Sequence, residues 1–198
     1  MGRSGRWLAA LGLLLWGAGS IPAFGVELGL GTIVGHYRVR RTDLPIYQVA
    51  EIEADNTTEG MDGFAKKVAP VLYAWTKAHY GVESNGNICH TPDGTRWGVR
   101  LLTWNAHTGS PRTNACPAGM VTTGVDIHSH PQKHTYLPNG VDHLFLHYGL
   151  GGGDLVGTEP DTYSPEDLAN GPGYLVGAVA LHFHDGKGNV RIVEPLPR

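Results

Sequence analysis

Charge is scarce in this chain and nowhere gathered. Charged residues make up 17% of its 198 positions, the formal net charge is −3, and no basic run or aromatic-interleaved patch occurs. That balance lacks the electrostatic footprint of a nucleic-acid partner. No internal repeat or linker divides the sequence, so a single domain with a sizeable core is expected. Long apolar runs are also missing, with one short exception at the start, "WLAALGLLLWGAG". It is too short for a comfortable membrane span. Arg3 and Arg6 precede it, and Ala18-Gly19-Ser20 or Ala23-Phe24-Gly25 follows with small residues. That order is a secretory signal peptide over residues 1–25, with an uncleaved anchor as the alternative. No cysteine follows the run, so a lipoprotein anchor is not expected, and the mature chain should begin near Ile21 or Val26. The expected location is secreted or periplasmic, with no membrane association after signal cleavage.

Cysteine is nearly absent: Cys89 and Cys116 are the only two. An oxidising compartment favours joining them, which would stabilise the fold by roughly 3–4 kcal/mol in the chain-entropy model. Two free thiols are the alternative. Glycine (29) and proline (13) are plentiful instead, pointing to many turns and at least one long irregular segment.

Residues 26–58 hold two stretches of extended character, "GTIVGHYRVR" and "IYQVAEIEA", split by Pro45, and read as an N-terminal extension. In "DGFAKKVAPVLYAWTKAHYG", Phe64, Val68, Val71, Leu72, Trp75 and Ala78 recur at helical spacing. Asp62 can cap this helix, Gly81 can end it, and Pro70 should kink it. "VESNGNIC" reads as a short strand or a turn into one, strands are expected at "TRWGVRLLTW" and "MVTTGVDIH", and residues 105–119 read as a loop. Residues 132–162 form a long Gly-rich segment interrupted by the apolar "VDHLFLHYG". "SPEDLANG" opens a short helix, and "GYLVGAVALHFH", the turn "DGKGN" and "VRIVEP" make a closing β-hairpin. This succession predicts an α/β fold: a mixed β-sheet flanked by a long helix and a short one.

The chemistry concentrates in "DIHSHP" at 126–131. At the end of a strand, residues i and i+2 point to the same side, so His128 and His130 can face one ion while Ser129 turns away. Catalytic zinc commonly takes three protein ligands and keeps a fourth position open. "SPED" offers the third: Ser164 at an N-cap, Pro165 at the first helical position, and Asp167 on the first turn. Ser-x-x-Asp is equally close to a capping box, a plain way to begin a helix. Glu83, directly after the long helix, can serve as a proton-transfer group or be a solvated turn residue.

Taken in order, Glu83 within "ESNGNI", "HSHP" at 128–131 and "SPED" at 164–167 resemble the signature of the JAB/MPN (JAMM) metallopeptidase family. "TYSPEDL" and "GPGYLVG" are similar to the bacterial variety found in exported and toxin-associated proteins. The resemblance implies a JAB/MPN-like domain over residues 59–198, with 132–162 as an insertion far longer than the family's usual spacing. It implies Zn2+ held by His128, His130 and Asp167, Glu83 as general acid/base, and Ser164 as a donor to the oxyanion of the tetrahedral intermediate. It also implies hydrolysis of an amide bond by metal-activated water. The location adds the expected partners: a peptide, protein or peptidoglycan amide substrate, and an inhibitor or immunity protein. Two alternatives stand beside this. One is a non-catalytic binding or scaffold module of the same fold; the other is a LytM-like cell-wall endopeptidase, for which no His-x-x-x-Asp motif is present.

The remaining histidines have plainer expectations. His182 and His184 alternate in "LHFHDG" and read as a solvated sheet face. His143 and His147 have i,i+4 spacing, but Leu144 follows His143, so the zincin helix motif is absent. His134 is either a substrate contact or a polar loop residue.

Overall fold

A computed structural model of the chain describes residues 29–39, 41–145, 156–157 and 159–197. The expected signal peptide, His147 and the cluster "GLGGGD" lie outside the described residues. Ten strands and three helices follow in the order β1 (Thr32–Val39), β2 (Thr42–Asp55), α1 (Gly60–Ala78), β3 (Asn85–His90), β4 (Arg96–Thr103) and β5 (Val121–Ser129). The second half continues with β6 (Thr135–Tyr136), α2 (Asp142–Phe145), β7 (Val156–Gly157), α3 (Pro165–Ala169), β8 (Gly173–Val176), β9 (Ala180–His184) and β10 (Val190–Pro195). The fold is mixed α/β. Eight strands form one sheet in the order β1-β2-β4-β3-β5-β8-β9-β10, antiparallel except for the β5–β8 pair, and β6 and β7 form a separate two-stranded ribbon.

The two N-terminal stretches are strands, but Pro45 does not divide them. It lies inside β2, opposite His36 of β1. A proline is tolerated in a strand where no ladder hydrogen bond is asked of its nitrogen. The turn falls instead after Val39. Through β2–β4 pairing this hairpin extends the sheet rather than standing apart from it. At the other end, Gly177 interrupts "GYLVGAVALHFH", so β8 turns back antiparallel onto β9 before the closing β9–β10 hairpin.

α1 lays Phe64, Val68 and Leu72 onto Ile88, Val99, Leu101, Ile127, Val176 and Leu181 of the sheet. Each such side chain fully buried contributes roughly 1.5–3 kcal/mol. Val71 and Ala78 fall off this stripe and are exposed. The helix runs on through Pro70. Its N-cap is Glu59, without a side-chain cap bond. Asp62 sits in the first turn instead, where it accepts from Arg191 (2.8 and 2.9 Å) and from the Tyr174 hydroxyl (2.6 Å), tying the helix to β10 and β8.

The C-terminus departs from expectation in detail. Gly81 N–H reaches the Thr76 carbonyl and Tyr80 N–H that of Lys77, the paired bonds of a Schellman motif. The left-handed residue directly after the cap is therefore Tyr80 (φ +57°), and Gly81 (φ +97°) follows it. Gly81 is required on a second count, since a Cβ there would stand 2.2 Å from the Tyr136 ring.

Cys89 and Cys116 are joined, with a Cα–Cα distance of 5.8 Å. The bond pins the end of the β4–β5 loop to β3. An intramolecular disulfide is consistent with an extracellular location. Among the described residues no helix is long and apolar enough to cross a membrane.

Candidate metal centre

Alternation along β5 sorts its residues onto two faces. Val125, Ile127 and Ser129 turn toward α1, with the Ser129 hydroxyl accepting from Thr76 Oγ1 at 2.7 Å. Asp126, His128 and His130 take the opposite face. Asp126 Oδ2 lies 3.0 Å from His128 Nδ1, and the Glu159 carbonyl lies 3.2 Å from His130 Nδ1. With Nδ1–H donating in both rings, Nε2 is the nitrogen each turns toward Asp167.

α3 brings the carboxylate to meet them. Pro165 pre-sets the helical φ, and Ser164 caps the helix, accepting from Asp167 N–H at 3.1 Å. Asp167 answers by accepting from Ser164 N–H (2.9 Å) and from the Ser164 hydroxyl (2.8 Å), both at Oδ2. The capping box and the placing of Asp167 beside the histidines are thus one structure: the bond that starts the helix also aims the carboxylate. Asp167 Oδ1 stands 3.6 Å from His128 Nε2, and Oδ2 stands 3.4 Å from His130 Nε2.

One ligand-type atom from each of His128, His130 and Asp167 lies within 4.8 Å of the others. The group can hold a metal. His128 Nε2 supports this independently, because it is buried and has no hydrogen-bond partner. An orphaned buried nitrogen is costly unless something binds it. Two imidazole nitrogens and a carboxylate form the donor set that zinc takes while leaving a fourth position open.

The electrostatics follow from crowding. Burial alone would push the His128 pKa down; the Asp126 hydrogen bond and the Asp167 carboxylate outweigh it and raise it to about 10. Burial opposes ionisation of Asp167, yet the two imidazoles and Ser164 hold its carboxyl far below the usual carboxylate range. Asp126 is likewise lowered against its own burial by His128 and Arg112.

Glu83 stands at the same end of the sheet. β3 pairs antiparallel with β5, Asn85 opposite His128, and Ser129 N–H bonds the Ser84 carbonyl at 2.9 Å. Continuing that register sets Glu83 opposite His130. Its backbone is fixed by N–H to Ala106 O (2.8 Å) and by the Thr103 hydroxyl on its carbonyl (2.6 Å). The side chain is half-buried, and burial drives its pKa well above the ordinary carboxylate value, the His128 charge offsetting only part. Glu83, His128, His130, Ser164 and Asp167 all line one cavity of about 660 Å³. Gly157, Glu159 and Thr162 of the long insertion form part of its wall, so the chain does return to the site after residue 131.

Four side chains at the candidate site escape the sequence reading: Asp126, Arg112, His107 and Asp142. Asp126 orients His128 and is itself held by Asn85 Nδ2 at 2.9 Å. It was findable, being two residues before His128 and so on the same strand face. Gly173 makes room for it, since a Cβ there would sit 1.9 Å from Asp126 Oδ1. Arg112 places its guanidinium 2.6 Å from Asp167 Oδ1, and His107 pairs with Asp142 at 2.7 Å in the cavity wall. Neither of these carries a local signal, because both partners are distant in sequence.

The other histidines settle elsewhere. His182 and His184 are buried, not solvated, because Asp161 and Tyr163 cover that face of β9. His182 Nε2 approaches Asp161 at 3.3 Å, and His184 packs edge-on against Tyr163. His143 is exposed on the one-turn α2, and His134 is exposed 3.8 Å from Glu159. Compared with known protein families, curated proteins and solved structures, the chain has no match.

Proposed function

We propose that the protein is an exported zinc-dependent peptidase or isopeptidase that hydrolyses an amide bond with water activated at the His128–His130–Asp167 site. In this reading residues 59–198 form a JAB/MPN-like domain, with 132–162 inserted into it. The supporting observation is the convergence of three ligand-type side chains, one with an orphaned nitrogen, in a cavity that also holds a half-buried glutamate.

A zinc ion held there would acidify water and polarise the scissile carbonyl. Glu83 accepts the proton that water gives up on attacking the carbonyl carbon. Burial raises the Glu83 pKa above the ordinary carboxylate value, which makes it a better proton acceptor than a solvated glutamate. Ser164 holds Asp167 through its hydroxyl and backbone N–H. To donate to an oxyanion, that hydroxyl must turn from Asp167 toward the cavity; such a donor is worth about 3 kcal/mol of barrier. The location favours amide bonds outside the cytoplasm, in peptides, proteins or peptidoglycan, and leaves room for an inhibitor or immunity protein.

Arg112 favours a second reading, a non-catalytic module of the same fold, because its guanidinium already neutralises Asp167. A library of peptide and muropeptide amides separates the two. Zinc-loaded wild type should cleave a subset, and Glu83→Gln should bind zinc normally while losing roughly 100-fold or more in rate. Cleavage by Glu83→Gln at the wild-type rate would remove the hydrolytic assignment.

A further inference from the structure

One residue of the cavity wall, His107 in the loop after β4, belongs to a second buried carboxylate–imidazole pair. Asp142 is fully buried at the start of α2. Its carboxylate accepts His107 N–H at Oδ1 (2.7 Å), Asn139 N–H at Oδ2 (2.8 Å) and the His107 ring at Oδ2 (2.7 Å). Those donors hold Asp142 ionised against its burial. An ionised acceptor fixes Nδ1 as the protonated nitrogen of His107, so Nε2 is the free one. The ring is clamped by stacking on Tyr136, centroids 5.1 Å apart, and it lines the cavity alongside Glu83, Ser110 and Arg112. Glu83 N–H on the Ala106 carbonyl ties the two segments together. His107 Nε2 makes no hydrogen bond to a described residue. A buried carboxylate on Nδ1 orients an imidazole and leaves the opposite nitrogen available to take up a proton and pass it on.

We propose that His107 is a second proton-transfer residue of the cavity, giving the departing amine its proton, with Asp142 as its positioning residue. This rests on the hydrolytic reading above. Water adds its oxygen to the carbonyl carbon and its proton goes to Glu83. Glu83 passes that proton to the free His107 Nε2, and as the C–N bond breaks His107 Nε2 gives it to the departing nitrogen. The sum is amide plus water giving acid plus amine. Asp142 and Tyr136 both belong to the 132–162 insertion, which on this account completes the catalytic machinery.

The test compares two leaving groups on the peptide sequence selected by the amide library. A methylamide expels a basic amine that must be protonated, whereas a 4-nitroanilide expels a weakly basic one. His107→Asn is the informative variant, because its amide can replace the Nδ1–H bond to Asp142 while removing Nε2. It should bind zinc as wild type does, lose about 100-fold or more on the methylamide, and lose no more than a few-fold on the nitroanilide. Asp142→Asn should show the same selective loss, smaller in size. Equal losses on both substrates, or none on the methylamide, would overturn the proposal while leaving the hydrolytic reading intact. Hydrolysis of neither substrate by zinc-loaded wild type would remove both.

Discussion

Replacing Asp126 by asparagine isolates what the carboxylate behind His128 contributes. Two donors converge on its Oδ2: His128 Nδ1 at 3.0 Å and Asn85 Nδ2 at 2.9 Å. An asparagine is nearly isosteric, which matters because Gly173 leaves no spare room beside Oδ1. Its carbonyl oxygen must take the Oδ2 position, since an NH2 there would face two donors. The substitution therefore keeps the fold and the ring orientation, and removes only the negative charge that makes Nε2 a stronger base. Losing such an orienting partner weakens a metal site about 10- to 100-fold, equivalent to about 1.4–2.7 kcal/mol. Competition against a chromophoric chelator at fixed pH reads this directly, with thermal unfolding of the metal-free protein as the control for folding. In the metal-free variant the His128 pKa should also fall from its wild-type value of about 10, readable by NMR titration. A zinc affinity within twofold of wild type, in a variant that melts normally, would refute the role given to Asp126.

Because His128 carries its proton at neutral pH in the metal-free protein, zinc must displace it. Calorimetry in two buffers of different ionisation enthalpy should show about one proton released per zinc at pH 7, and none released would contradict the protonation assigned here. The sign for folding runs the other way. A raised imidazole pKa stabilises the metal-free fold below the unfolded value of about 6.5, and that contribution is lost as pH climbs through about 10. Replacing Cys89 and Cys116 together by serine should cost about 3.5 kcal/mol, from the 27-residue separation of the bridge, measured by urea denaturation. An unchanged midpoint would mean the bridge constrains little. Tyr80→Gly should raise stability by about 1 kcal/mol, since Tyr80 is 83% exposed and left-handed at the cap; a lower Tm would refute the strain.

Much of the site was legible because its parts are local. The spacing of His128 and His130 on a strand, and of Ser164 and Asp167 at a helix start, are short-range patterns with one physical outcome each. Capping box and candidate metal ligand do not exclude each other, because the hydrogen bonds that start the helix also aim Asp167 at the histidine pair. What escaped depends on long-range pairing. Arg112 meets Asp167, and His107 meets Asp142, only once the loop after β4 and the insertion have folded onto the cavity. Asp62 read as a cap since capping is the local option, yet Arg191 and Tyr174 claim it from the far end of the chain. His182 and His184 alternate as an amphipathic strand would, but Asp161 and Tyr163, distant in sequence, fold over that face and bury it.

The most direct measurement is elemental analysis of untagged protein, wild type beside Asp167→Ala and Glu83→Gln. About one zinc per chain is expected in wild type and in Glu83→Gln, and none in Asp167→Ala. Wild-type protein without zinc after equilibration with it, or Asp167→Ala retaining a full equivalent, would contradict the metal centre on which the account stands.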